Sequence, residues 1–254
     1  MARALIGHTG FVGGNLRAQA PFTDFYNSKN IDSIAGRDFE LVVCAGAPAA
    51  KWIANREPDR DRAALQRLIE PLGQVRARRF VLISTVDVFP RPIEVDESSS
   101  IDRAECHAYG RHRLELEDFV QGRFQERLIA RLPGLFGPGL KKNVIYDFLH
   151  DNELEKIHQD GSFQFYDLRH LWADLERART AALELVHFAT EPVGVREVSE
   201  AAFGFTFEND LPPPAPRYDL RTLHAAAWGR AGPYLYDRRS VLEDLRSFVS
   251  AGSR

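Results

Sequence analysis

The chain has little sulfur and little lysine. Its 254 residues include two cysteines, Cys44 and Cys106, and a single methionine. Two cysteines argue against a disulfide framework and a cysteine-rich metal site, and Cys44, inside an apolar run, reads as a core thiol. No metal site is expected. No apolar stretch approaches the ~18 residues of a membrane span, and no signal-peptide pattern opens the chain, so the expectation is a cytoplasmic protein with no membrane partner. A strong charge of either sign is missing too: the formal net charge is −3, which gives no push toward nucleic acid. Of the 33 basic residues, five are lysines (Lys29, Lys51, Lys141, Lys142 and Lys156), leaving 28 arginines.

What is present is an ordinary globular composition, 44% hydrophobic and 27% charged, long enough for one large domain or a domain with an appendage. Apolar strand-like runs alternate with helical stretches, the arrangement of a parallel sheet covered by helices. Strands are expected at 24–27, 40–46, 80–88 and 127–132, and helices at 59–75 and 109–124. The span between Asn27 and Glu40 is too short for a full helix and strand, so an abbreviated unit is expected there. Further helices are expected at 144–149, 171–186, 198–203 and 240–250, with 211–216 an extended proline-rich linker. The fold class is therefore α/β, a Rossmann-type doubly wound parallel sheet. Residues 1–133 are expected to form the sheet domain, and 134–254 a smaller region interleaved with it.

The first strand, Ala4-Leu5-Ile6, runs straight into a glycine-rich turn, with Gly7, Gly10 and Gly13 spaced G-x-x-G-x-x-G, and Phe11, Val12 and Leu16 then supply a helix face. Such a turn lets backbone N–H groups approach a pyrophosphate at the helix N-terminus, where the helix dipole favours negative charge. Three more segments follow in order. The strand at 80–88 ends Ser84-Thr85-Val86-Asp87-Val88-Phe89, a helix opens His107-Ala108-Tyr109-Gly110-Arg111-His112-Arg113, and a further strand reads Arg131-Leu132-Pro133-Gly134-Leu135-Phe136-Gly137-Pro138. Ligands of open parallel sheets bind beyond the carboxyl ends of the strands, which places Thr85 and Pro133–Leu135 on the crevice of the glycine turn.

These four segments resemble the extended short-chain dehydrogenases/reductases, the superfamily of nucleotide-sugar epimerases, dehydratases and reductases, over most of residues 3–204. Its pattern is a G-x-x-G-x-x-G turn, a catalytic Ser/Thr before Val-Tyr-Gly, then Tyr-x-x-x-Lys, then Arg-x-x-x-x-Tyr-Gly-Pro. Gly7, Gly10 and Gly13 match the turn, Thr85 falls on the Ser/Thr, Tyr109 on the tyrosine, and Arg131–Pro138 on the last motif, with Phe136 for its Tyr. The resemblance implies hydride transfer with NAD(P) on a hydroxyl or keto group of a sugar-like small molecule, Thr85 and Tyr109 handling the substrate oxygen. The cofactor contacts it implies are Gly7, Thr9, Gly10, Phe11, Val12, Gly13, Asn27, Ser28, Ala45, Gly46, Ala47, Ser84, Tyr109, Arg113, Pro133, Gly134 and Leu135. It also suggests a homodimer through the helices at 59–75 and 109–124.

The chain departs from the pattern at the lysine, which is Arg113. Arginine keeps the charge that favours a phenolate, but its planar fork does not reproduce a compact ammonium. Two readings follow: an altered chemistry in which Arg113 supports Tyr109, or a non-catalytic dinucleotide-binding sensor or scaffold. Val86 stands where family dehydratases carry the Asp after the catalytic Thr, which counts against sugar dehydration. Asp87 is either an acid/base or a strand-end carboxylate capping a turn. No carboxylate ends the second strand to accept a ribose 2′-OH; Asn27 and Ser28 are neutral and Lys29 is basic, which tilts the cofactor toward NADP.

Overall fold

The computed structural model describes residues 1–252. The chain divides into two compact units, the first made of residues 1–90, 100–131 and 171–186, the second of 91–99, 132–170 and the residues from 187 onward.

The first unit is a six-stranded parallel sheet flanked by helices. Its elements are β1 (Arg3–Ile6), α1 (Phe11–Gln19), β2 (Asp24–Tyr26), β3 (Asp38–Cys44), α2 (Lys51–Arg56), α3 (Pro58–Leu72), β4 (Arg76–Thr85), α4 (Ala108–Arg123), β5 (Arg127–Leu132), α5 (Leu171–Thr180) and β6 (Leu185–His187). The strands lie in the order β2-β1-β3-β4-β5-β6. Ala4, Leu5, Ile6 and the run Leu41–Cys44 are almost wholly buried, as continuous apolar runs must be in a sheet covered on both faces. In α3, Pro58 occupies the first turn, Asp59 and Asp61 follow it, and Leu65, Leu68 and Leu72 face the core. The register Ile6–Cys44 and Cys44–Leu82 brings the carboxyl ends of β1, β3 and β4 to one edge. The shortened span after β2 holds a 3₁₀ turn, Ile31–Ile34, so only one strand lies on that side of β1.

The expected helix over 171–186 is corrected. It stops at Thr180, and the chain turns to form the edge strand β6. Ala182 adopts φ +53, and the Leu183 N–H returns to the Ala178 carbonyl, the geometry of a helix stop normally signalled by glycine. Alanine at that position gives no such signal. The helix α2, too, has no counterpart in the expectations.

The second unit is built from short pieces: Gly134–Phe136 pairs in parallel with Phe165–Asp167, and a helix at Arg238–Gly252 packs Val241 and Leu245 against a cluster including Phe136, Phe148 and Phe165. Asp167, His170 and Asp244 come together there, but the Arg169 guanidinium sits 2.7 Å from Asp167 and 3.2 Å from Asp244, supplying the positive charge. Among the described residues, no helix is long and apolar enough to cross a membrane.

Two glycines of the turn are fixed by the fold itself. A Cβ on Gly13 would lie 2.1 Å from the Gly7 carbonyl oxygen, whereas one on Gly14 would meet nothing nearer than 3.9 Å. Gly13→Ala is therefore expected to cost at least the ~1–3 kcal/mol of an overpacked core. Gly14→Ala should be neutral or stabilise by up to ~1 kcal/mol through helix propensity. Paired thermal melts check both.

Candidate active site

At the end of β1 the chain turns through Gly7, whose φ of +82 favours glycine and whose missing side chain clears the Ala45 carbonyl by a margin no Cβ would have (2.3 Å). The Gly10 N–H closes the turn on the Gly7 carbonyl at 2.9 Å. Gly10 itself is different: a Cβ there would meet only the Gly7 oxygen, at 3.3 Å, so its outer side is open. α1 starts at Phe11 with no side-chain cap and no acidic residue in its first turn. Thr9, Phe11 and Val12 thus stand at an uncapped, positive helix end, a cradle that fits a pyrophosphate. Ala45, Gly46 and Ala47 leave the end of β3 beside it, the backbone of Ala45 and Gly46 in contact range of Gly7.

At the other end of the expected cofactor path, Asn27 follows β2. Its Oδ1 accepts the Lys29 N–H at 2.9 Å, and its Nδ2 lies 3.4 Å from His8 Nε2. Ser28 and Lys29 are exposed. Ser84 is buried and directs its hydroxyl to Glu117, which also receives a two-pronged hydrogen bond from Arg131 at 3.1 and 2.6 Å. Pro133, Gly134 and Leu135 belong to the second unit, where Gly134 and Leu135 pair with Phe165 and Tyr166.

Thr85, Asp87 and Tyr109 are brought together. β4 ends at Thr85, whose Oγ1 caps the following 3₁₀ turn by accepting the Asp87 N–H at 3.1 Å. α4 begins against this turn so closely that a Cβ on Gly110 would lie 2.3 Å from the Asp87 carbonyl oxygen. His107 caps α4, its Nδ1 accepting the Gly110 N–H at 3.0 Å, and the Tyr109 N–H donates to Asn55 Oδ1 of α2 at 3.0 Å. Also from α2, Lys51 Nζ donates to Asp87 Oδ1 at 2.6 Å.

Arg113 engages Tyr109 and is held by other partners as well. Its guanidinium carbon lies 4.4 Å from the ring centroid, over the face of the ring. Its Nη2 donates to Asp61 Oδ1 at 3.0 Å and to the Pro48 carbonyl at 2.5 Å, with Nη1 3.4 Å from Asp61 Oδ2. His112 Nδ1 holds the same carboxylate at 2.8 Å. The Arg113–Asp61 pair is sealed, the two side chains being 3% and 4% exposed.

These surroundings set the protonation of the site. Burial pushes the Tyr109 phenol above its ordinary value of 10, and the pull of Arg113 in the other direction does not overcome it. Burial lowers His107, and the Lys51 ammonium lowers it further. The sign of the Tyr109 shift has a consequence for stability. The folded chain keeps this proton where the unfolded chain has lost it, so the contribution is whole below about pH 10 and falls as the pH rises past it. Comparing alkaline denaturation of the wild type and Tyr109→Phe is expected to show a steeper loss in the wild type, together with one late-titrating tyrosine missing from the variant's absorbance.

Lys51, Asn55, Asp61 and His107 were not legible as site residues. The only signal for Asp61 is an acidic residue in the first turn of a helix, which helix-dipole stabilisation accounts for by itself.

A glycine turn at the end of β1, with Thr85 at the end of β4 and Tyr109 in the first turn of α4, stands on a parallel α/β sheet of the Rossmann type. Solved structures share this fold along the whole chain. It is similar to a UDP-glucose 4-epimerase from Thermotoga maritima, at 16% identity and TM-score 0.70, with 100% of this chain and 99% of that one covered. A dTDP-4-dehydrorhamnose reductase from Yersinia enterocolitica superposes with TM-score 0.74 at 15% identity over 98% of this chain and 99% of that one. An NAD-dependent NDP-hexosamine 5,6-dehydratase involved in tunicamycin biosynthesis gives TM-score 0.75 at 16% identity over 100% and 99%. By sequence, no protein-family model and no curated protein matches.

Proposed function

We propose that the protein is an NAD(P)-dependent oxidoreductase or epimerase acting on a hydroxyl or keto group of a sugar-like small molecule. The observation that carries this reading is the meeting of Thr85, Asp87 and Tyr109 at the sheet edge that also holds the uncapped glycine turn. The named activities of the structural neighbours, all exerted on sugar nucleotides, agree with it. A bound nicotinamide dinucleotide supplies hydride exchange; the Gly7–Gly13 turn would hold its pyrophosphate, and Asn27, Ser28 and Lys29 its adenosine end. The exposed Lys29 and the lack of a carboxylate there favour the 2′-phosphate of NADP.

Tyr109, as a neutral phenol, is a hydrogen-bond donor to the substrate oxygen, and Thr85 positions that oxygen from the other side. Arg113 shields the ring face of Tyr109 and fixes its orientation. Two copies joined through α3 and α4, working in the cytoplasm, complete the reading. Isothermal titration with NADPH and NADH tests it first: micromolar binding is expected, tighter for NADPH. A turnover panel of UDP- and dTDP-sugars follows, with product analysis for redox-neutral epimerisation. Binding without turnover on that panel favours the sensor or scaffold reading instead, and no binding of either dinucleotide rejects both.

A further inference from the structure

Three ion pairs lie on α4 or on the turn packed against it, and they differ in access. Arg113–Asp61 is sealed, and so is Arg131–Glu117, with side chains 6% and 1% exposed. Lys51–Asp87 is open, at 36% and 23%, although its Nζ–Oδ1 distance is 2.6 Å. The second oxygen of Asp87, Oδ2, lies 3.5 Å from Thr85 Oγ1, whose hydroxyl donates toward it. The short helix α2 therefore carries both the partner of Asp87 and, through Asn55, an anchor of Tyr109. The groups that face Asp87 are Lys51 from α2, Thr85 from β4, and His107 and Tyr109 from the start of α4. Arg113, by contrast, turns both of its terminal nitrogens to Asp61, so the charge it offers Tyr109 is already paired, and its pull on the phenol is outweighed by burial.

We infer that the proton of a substrate hydroxyl passes through Thr85 to Asp87, with Lys51 as the positioning cation of that carboxylate, while Tyr109 serves the same oxygen as a hydrogen-bond donor. The inference rests on the oxidoreductase reading and assigns its base. In the oxidative direction the substrate O–H bond breaks as Thr85 Oγ1 takes that proton and releases its own to Asp87 Oδ2. The electron pair left on oxygen becomes the second C–O bond, and the hydride leaves the carbon for the oxidised nicotinamide. Reduction reverses each transfer. Lys51 thus supplies, by way of a different helix, the ammonium that position 113 lacks.

The test is the pH–rate profile for oxidation of UDP-glucose and UDP-galactose with NADP⁺ and NAD⁺. It compares the wild type, Asp87→Asn, Lys51→Met and Tyr109→Phe, each first shown to be folded by circular dichroism. Asp87→Asn is expected to lose about 10²–10⁴-fold in kcat, the range of general acid–base catalysis. Lys51→Met should move the acid limb of the profile to higher pH, the direction in which loss of an adjacent opposite charge acts. The residual activity of Tyr109→Phe should keep that limb where the wild type has it. Asp87→Asn within tenfold of the wild type, or a limb that vanishes in Tyr109→Phe and stays in Lys51→Met, overturns the inference. A second readout needs no turnover. In the cofactor-free protein, NMR titration of the His107 imidazole should move up in Lys51→Met and down in Asp87→Asn, and no movement in either overturns the placement. Failure of the underlying reading looks different: the wild type then binds neither dinucleotide. Binding of a dinucleotide with neither oxidation nor epimerisation of either sugar nucleotide counts against the oxidoreductase reading, and the His107 titration then decides the placement of Lys51 and Asp87 by itself.

Discussion

Asp61→Ala is expected to destabilise the protein by about 3–5 kcal/mol, the cost of leaving one member of a buried ion pair without its partner. The environment gives this value its basis. The Arg113 side chain is 3% exposed, so water cannot replace the carboxylate, and its Nε already lacks a hydrogen-bond partner. His112 loses the same acceptor. Asp61→Asn retains hydrogen-bond acceptance without the charge and should fall between the wild type and Asp61→Ala. Replacing both members with apolar residues, as in Asp61→Leu with Arg113→Met, should recover much of the loss, because desolvation of both charges is then avoided. Urea denaturation of the four proteins, with unchanged m-values, measures the series. A loss below ~1 kcal/mol for Asp61→Ala would mean that water reaches Arg113.

The second large effect is on rate. Tyr109→Phe should lower kcat by about 10²–10³-fold, the cost of removing one aimed hydrogen-bond donor from a reacting oxygen. Dinucleotide affinity should change little, because the proposed pyrophosphate cradle is the Gly7–Gly13 turn and the phenylalanine ring still packs beneath Arg113. The two variants therefore separate cleanly. Asp61→Ala acts on folding, Tyr109→Phe on turnover, and calorimetric titration of dinucleotide into folded Tyr109→Phe confirms that the loss is chemical.

The fold was readable where side-chain pattern and backbone chemistry coincide. Leu41–Cys44 reads as a buried strand because it is one, and Gly7 and Gly13 are glycines because other backbone atoms occupy the space of a Cβ. The reading failed at Ala182, where a left-handed residue ends a helix without being glycine, and at α2, six residues with too little periodicity to register. The site divides the same way. Thr85, Asp87 and Tyr109 stand in order along the chain, and Arg113, four residues beyond Tyr109, is plain from the sequence alone. Its partner was not, since Asp61 lies 52 residues away and the pair exists only because α3 packs on α4. Lys51 likewise reaches Asp87 across 36 residues, from a helix that pattern alone did not reveal.

The sealed pair also bears on how such a chain evolves. Arg113 holds Asp61, the Pro48 carbonyl and the face of Tyr109 at once, so a lysine at 113, with no planar fork, forfeits several of these contacts in one step. An uncharged residue at 61 strands the arginine. Each single change at 61 or 113 is therefore expected to pass through a less stable protein, and the two positions to show epistasis. Substitutions at these two positions are thus tolerated only together, a constraint that the accessible Lys51–Asp87 pair does not share.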